Sequence, residues 1–563
     1  MTALTARDPL VPAAAAACAA LAYTAALGPA FVYPPNVEWL MRGDFSLHFF
    51  GWHLYRSGPW TWPLGAAPHL IWPVGSSVGL TDSVPLAAMV FKLAARWLPP
   101  EFQYIGLWLV TCAAMQGWFG ARLMQLATPR RAVQLAGAGL FVASPPFFFR
   151  YGHAALAAHW VLLAALWLSL KPGAETPSWR GAAAWAVLAA VTATINPYLL
   201  LMVAVVMLAA FARQALGAPW RVPEVALHAA AALVAAWVGL WQSGSLSVAG
   251  DAGLTMTGFG LFSANLLTFV MPTEAGTALA PGPFAYANPE QYEGYAYLGG
   301  GVLALAAALP LLARIPTRGT PGRRVWPAGW RSRLPFALAV GFLAVMALGP
   351  ALTVGSQTLL SYDAGLWGPF LTFRTNGRMI WPLFYAVVAA VAFAAARLPG
   401  RVAALALSTA LVLQVVDLSG TPAWMRTPGE YGFRDPLVSP LWTVAPAHYD
   451  RLILVPTNLC DRNGAPDLRP FLLLAGRTGL AINAGATARY DSRRAAAYCG
   501  ELDREVRDGF RDDRALYVVR RDLLPALAPP GDPARVCGEV DGYGVCVTAR
   551  SYGRWRHRFA LAE

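Results

Sequence analysis

The chain has 563 residues, 57% of them hydrophobic and only 13% charged. Soluble domains carry about 25% charged residues, so an ordinary globular protein is excluded. The net charge of +13 does not point to nucleic acid, because the basic residues form no stripe with interleaved stacking aromatics.

In chain order, apolar blocks near the roughly 20 residues that cross a bilayer predict eleven spans, at 11–33, 103–124, 131–147, 154–170, 181–195, 197–213, 224–243, 295–314, 334–353, 378–397 and 402–419. The 22 Trp residues suit a protein with long lipid–water boundaries. The first block is read as a retained helix, since no clean small-residue cleavage site follows it. Asn196-Pro197 breaks 181–213 into a hairpin, because Pro favours a turn or a helix start. Residues 84–98 are short and carry Lys92 and Arg96, which predicts a helix on the outer membrane surface.

With the N-terminus inside, the basic clusters all fall on the cytoplasmic side, as retained loops require. They are Arg122, Arg130 and Arg131; Lys171 and Arg180; Arg213 and Arg221; Arg314, Arg318, Arg323, Arg324, Arg331 and Arg333; and Arg397 and Arg401. Segments 34–102 and 244–294 and the tail from 420 then face outward. The division is a membrane domain at 1–419 and a soluble outer domain at 420–563.

The first outer segment is unusually rich in polar and aromatic groups. From Asp44 to Tyr55 the spacing predicts a helix with Asp44, His48, Trp52 and Tyr55 on one face, lying at the interface with its aromatics in lipid. Asp44 falls near the helix N-terminus, where the dipole favours a carboxylate; a capping Asp is the equal alternative. His53 and Asp82 follow in the same segment. Parity brings Arg150 and His153, then His159, Asn196 and Tyr198, then Glu293 and Tyr297, then Arg374 and Arg378 to the same side. Packing for a lone intramembrane His and snorkelling for an Arg at a span end are the ordinary readings. Their convergence on one face points to a watered cavity.

The tail reads as α/β, with strands at 451–456 and 515–519 and a helix at 493–511. It holds Cys460, Cys499, Cys537 and Cys546, which in an oxidising compartment allow three pairings. Asp541-Gly542 is a strong hairpin signal that sets Cys537 opposite Cys546. The favoured pairs are therefore 537–546 and 460–499, with reduced core cysteines the alternative if the topology is inverted. No Gly-rich phosphate loop, zinc-ligand spacing or Ser-His-Asp arrangement marks the tail.

Gly43-Asp44…His48-Phe-Phe-Gly-Trp52, Thr81-Asp82-Ser-Val-Pro-Leu86, Arg150-Tyr-Gly-His153, Glu293-Gly-Tyr-Ala-Tyr-Leu-Gly299 and Phe373-Arg…Gly377-Arg378 resemble the GT-C superfamily of integral membrane glycosyltransferases. The closer likeness is to an uncharacterised bacterial multi-pass family near it. The resemblance covers about residues 1–420. It implies a mainly α, GT-C-like membrane bundle in a bacterial inner membrane, taking a sugar from a polyprenyl-phosphate carrier to an envelope glycan, lipid or protein acceptor on the outer face. It implies Asp44 as the catalytic base of an inverting transfer, with Asp82 and Glu293 as further candidate acids. Arg378, Arg374 and Arg150 are the candidate cations for the lipid phosphate. His48, His53, His153, His159 and Tyr297 are candidate sugar, acceptor or phosphate contacts. No cofactor is required and no metal is assigned; Asp82 could orient an acceptor or hold a divalent metal. A non-catalytic assembly scaffold and a lipid or glycan transporter are the alternatives from other classes; a transporter's paired broken helices are not evident.

Overall fold

The computed structural model describes residues 8–247, 258–272, 276–315, 325, 329–419, 433–461, 463–527, 535–557 and 561. Arg318, Arg323 and Arg324 of the predicted basic loop lie outside the described residues. The chain is mainly helical, with a small α/β region at its C-terminal end.

Among the described residues, six helices are long and apolar enough to cross a membrane: Leu10–Leu27, Pro197–Gly217, Pro219–Gln242, Arg331–Leu348, Asn376–Ala396 and Gly400–Leu418. The pair Arg131–Val142 and Pro145–Gly152, bent by 42°, makes a seventh if counted as one span. Its bend sits at Ser144, just before the two prolines that open the second helix, a place where Pro lacks the N–H to continue a ladder. Helices also occupy the other predicted positions, but Trp160–Leu170, Trp179–Ala193 and Gly300–Leu312 are short, and Ile105–Ala127 is not among the apolar six.

The chain divides by contacts into two units: Met1–Pro29 with Leu107–Gly239 and Thr255–Pro428, and Ala30–Gly106 with Leu240–Leu254 and Gly429–Glu563. The first is a helical bundle. Its last long helix, Gly400–Leu418, carries two buried polar side chains that tie distant turns. Gln414 donates to the carbonyls of Ala143 and Leu298 at 3.1 and 3.0 Å. Asp417 accepts from the amides of Gly300 and Leu279 at 2.7 and 3.2 Å, so a carboxylate satisfies the first N–H of Gly300–Leu312, one of those a helix start leaves unpaired.

The second unit is built on a five-stranded sheet in the order 481–482, 451–455, 515–519, 543–548, 535–540. Arg451–Val455 is parallel to both its neighbours, and the two last strands form an antiparallel hairpin. The helices Arg469–Thr478 and Ser492–Asp508 make the crossovers. Disulfides join Cys460 to Cys499 and Cys537 to Cys546. At the turn, Asp541 and Gly542 both take positive φ, and the Asp541 carboxylate accepts from the amides of Val438 and Ser439 and the indole of Trp442.

Residues 30–106 group with this α/β region in one unit. Residues around Leu70 continue the sheet past its short edge strand: Ile482 donates to the His69 carbonyl, and Trp72 donates back to the Ile482 carbonyl. An edge strand's open amides are met in this way. The predicted helix in this segment is Gly43–Ser57, but the expectation that Trp52 and Tyr55 anchor it in lipid is corrected. Trp52 is 0% exposed, its indole donating to the Phe102 carbonyl and its ring against Phe102 and Tyr104. Tyr55 is buried and donates to the Leu64 carbonyl. The helix at 85–93 presents Val90 and Leu93 outward. Lys92 instead turns inward over the Tyr55 and Trp60 rings, donating to the Pro59 carbonyl.

Candidate functional site

In the helical unit, three of the expected residues meet. The Glu293 carboxylate receives Arg150 Nη1 at 2.6 Å on Oε2 and Arg378 side-on, Nε to Oε2 and Nη2 to Oε1, both at 3.0 Å. Arg150 Nη2 also donates to the Glu293 carbonyl at 2.9 Å. Side-chain exposure is 1% for Arg150, 5% for Glu293 and 11% for Arg378, so little water screens the group. Aromatic faces complete it: Arg150 lies over Phe149 and Trp381, and Arg378 over Tyr198.

The local fold explains the meeting. Glu293 ends the short turn Pro289–Gly294, and Arg378 lies in the turn Asn376–Ile380. Gly377 donates its amide to the Phe262 carbonyl, and a Cβ on Gly377 would stand 2.7 Å from the Gly294 Cα. The two turns approach this closely because neither glycine carries a side chain. Asn376 locks the second turn by donating to the Met346 and Ala347 carbonyls and accepting from the Gly260 amide.

Charge follows from this packing. Burial pushes the Glu293 carboxyl up, but Arg150 and Arg378 outweigh it and hold it well below the usual carboxylate range. Glu293 is thus an ionised brace between two guanidinium groups, a poor proton acceptor, and its expected part as a candidate acid is corrected on that ground. His153 lies within electrostatic reach of Glu293. Arg374 is exposed, its guanidinium over the Phe262 ring.

His159 and Tyr297 are also corrected. His159 is fully buried, bonded through Nδ1 to the Tyr385 hydroxyl at 2.8 Å and against Trp381 at 4.3 Å. Tyr297 is buried and hydrogen-bonded to Asp417. Both are packing groups.

In the second unit, Asp44 is exposed in the first turn of Gly43–Ser57. One turn on, His48 is buried, and a ring nitrogen of His48 and a carboxylate oxygen of Asp82 lie within 4.8 Å of each other. Thr81 and Ser83 hold Asp82 there, since Ser83 donates to the His48 carbonyl at 2.8 Å and pairs with the Thr81 hydroxyl. His48 and Asp82 are the residues of this unit that could offer two ligands to a divalent ion. His53 does not join them. It is fully buried, stacked on Phe49, with Nε2 at 3.3 Å from the Leu473 carbonyl, so its expected role as a sugar contact is corrected to packing.

Asp417, Gln414, Asn376 and the Gly294–Gly377 contact escaped the sequence reading. A lone Asp inside the apolar block 402–419 was a visible signal, because an acid there needs a partner. The glycine contact left no such sign.

Residues 16–419 match the family described as a domain of unknown function (DUF6311), and residues 441–548 match the DUF6311 C-terminal domain. No curated protein matches the chain.

Proposed function

We propose, from the premise that the chain belongs to the DUF6311 family, that it is an inverting membrane glycosyltransferase of GT-C type. On this reading it has eleven spans in a bacterial inner membrane, with the C-terminal domain outside. It passes a sugar from polyprenyl phosphate to an envelope acceptor.

The observation that carries the reading is the charge of the Arg150–Glu293–Arg378 group. Two guanidinium groups share one carboxylate, leaving a net positive charge where exposure is 1–11%. Such a charge is stabilised by an anion, and a lipid phosphate is an anion delivered at membrane depth. Arg374 adds an exposed cation four residues before Arg378.

The chemistry is a direct displacement. Asp44 takes the proton of the acceptor hydroxyl as its oxygen attacks the anomeric carbon. The bond from that carbon to the phosphate oxygen breaks, and polyprenyl phosphate leaves with the electron pair. Arg374 and Arg378 offset its growing charge, while Arg150 fixes Glu293, which fixes Arg378. Asp82 orients the acceptor beside His48.

The test uses full-length protein and Asp44→Asn in detergent, a panel of polyprenyl-phosphate sugars and a cell-envelope extract. Free polyprenyl phosphate is measured by mass spectrometry. Wild-type release with a loss of about 100-fold or more in the variant supports the reading. Equal release by both moves the base to Asp82. If wild type neither releases polyprenyl phosphate nor binds a lipid-linked sugar, the reading fails and a scaffold or transporter replaces it.

A further inference from the structure

The helix that begins at Asn376 runs 21 residues to Ala396, so Arg397 lies ~30 Å along its axis from the Arg378 end. At that far end the helical unit holds a cavity of about 500 Å³, between the ends of Trp160–Leu170, Pro197–Gly217, Trp330–Leu348 and Trp381–Ala396. Leu170, Phe336 and Phe393 line it with apolar surface, and Arg213, Arg333 and Arg397 supply three cations. Among the described residues no Asp or Glu lines it. Glu175, the acid whose charge reaches Arg213, is exposed.

Arg213 separates this cavity from an ordinary span end. An Arg at such a place extends its guanidinium to water, yet Arg213 is only 8% exposed. Its Nη2 donates to the Ser169 carbonyl at 2.6 Å. Its Nε is buried and has no hydrogen-bond partner among the described residues. A buried cation with an unmet N–H is unfavourable until something supplies an acceptor oxygen and a negative charge.

We propose that this cavity binds one anionic phospholipid, its phosphate on Arg213, Arg333 and Arg397 and its acyl chain along the apolar wall. Free phosphate shares the headgroup chemistry, but it would leave the walls unused. The volume lies within the range of ligand pockets. The site is at the opposite end of the unit from Arg378, and its occupancy does not depend on sugar transfer.

Full-length protein in phosphatidylcholine nanodiscs doped with phosphatidylglycerol would be released and its retained lipids counted by native mass spectrometry. One phosphatidylglycerol per chain is expected. The double variant Arg333→Gln/Arg397→Gln changes exposed residues, so it should fold, and its retention should fall about tenfold. Arg213→Gln, checked for an unchanged melting temperature, should also lose the lipid. Equal retention by wild type and the double variant overturns the proposal, as does equal retention of phosphatidylcholine. Displacement of the lipid by millimolar inorganic phosphate would identify a free-anion site and overturn the lipid assignment.

Discussion

His53 shows how burial sets protonation at a single residue. Burial pushes its imidazole down to about 3, against the opposing pull of the Leu473 carbonyl. At neutral pH the ring is therefore uncharged, and the proton on Nε2 is the one donated to Leu473. The unfolded chain has an ordinary His value near 6.5, so below that pH it takes up a proton that the folded chain refuses. The contribution of His53 to stability is complete above ~6.5 and falls as pH drops toward about 3, by about 1.4 kcal/mol for each pH step. Between pH 6.5 and 5 the loss is about 2 kcal/mol. His53→Gln keeps an amide donor for Leu473 and cannot titrate, so the full-length variant should melt with a flatter pH dependence than wild type. Parallel melting curves across pH 5–7 would show that His53 does not carry this term. The grouping of His53 with His48 as a sugar contact overlooked helical spacing. Five residues are 500° of rotation, which puts the two rings on different faces of Gly43–Ser57.

Elements meet where the sequence lets backbones approach, and the turns at 289–294 and 376–380 are the sharpest case. An alanine methyl at 377 would stand 2.6 Å from the Phe262 carbonyl oxygen and 2.7 Å from the Gly294 Cα, both backbone atoms that cannot swing aside. Gly377→Ala should therefore destabilise the full-length protein by about 1–3 kcal/mol and raise hydrogen exchange across 289–294. Gly341→Ala is the control, because nothing lies within 4 Å of that methyl; its melting temperature should not fall. Equal melting of the two variants would mean that the turns have room to spare. The same contact marks the limit of what was legible. The hairpin around Asp541-Gly542 could be read because its signal is local, and the register does set Cys537 opposite Cys546. Strand patterns near 451 and 515 were likewise short-range. Helix ends were not: the block 295–314 becomes a helix only from Gly300, because Gly299 takes φ 87° and Asp417, 117 residues away, caps it. No periodicity in a window of twenty residues can see that partner. The Arg150–Glu293–Arg378 group was legible as three charges in a set and illegible as an ion pair, since the pairing depends on how the turns pack.

For the whole molecule the open quantity is orientation, and two independent features bear on it. The cavity gathers Arg213, Arg333 and Arg397 at one end of the helical unit, the end opposite Arg378, and Lys and Arg are retained in the cytoplasm during insertion. The C-terminal region holds four of the six cysteines in two disulfides, with Cys18 and Cys112 left as thiols, and disulfides persist in oxidising compartments. On the proposed reading, the helix ends near Arg213 lie inside and the α/β region outside. Alkaline phosphatase, which needs its own disulfides, should therefore be active when fused after Glu563, and a green fluorescent protein exported unfolded to that point should stay dark. The opposite pattern would put the α/β region in the cytoplasm. That result would remove the glycosyltransferase reading, whose base and phosphate cations must face polyprenyl-linked sugars outside. It would leave the lipid cavity standing, because a phosphate and an acyl chain are available in either leaflet.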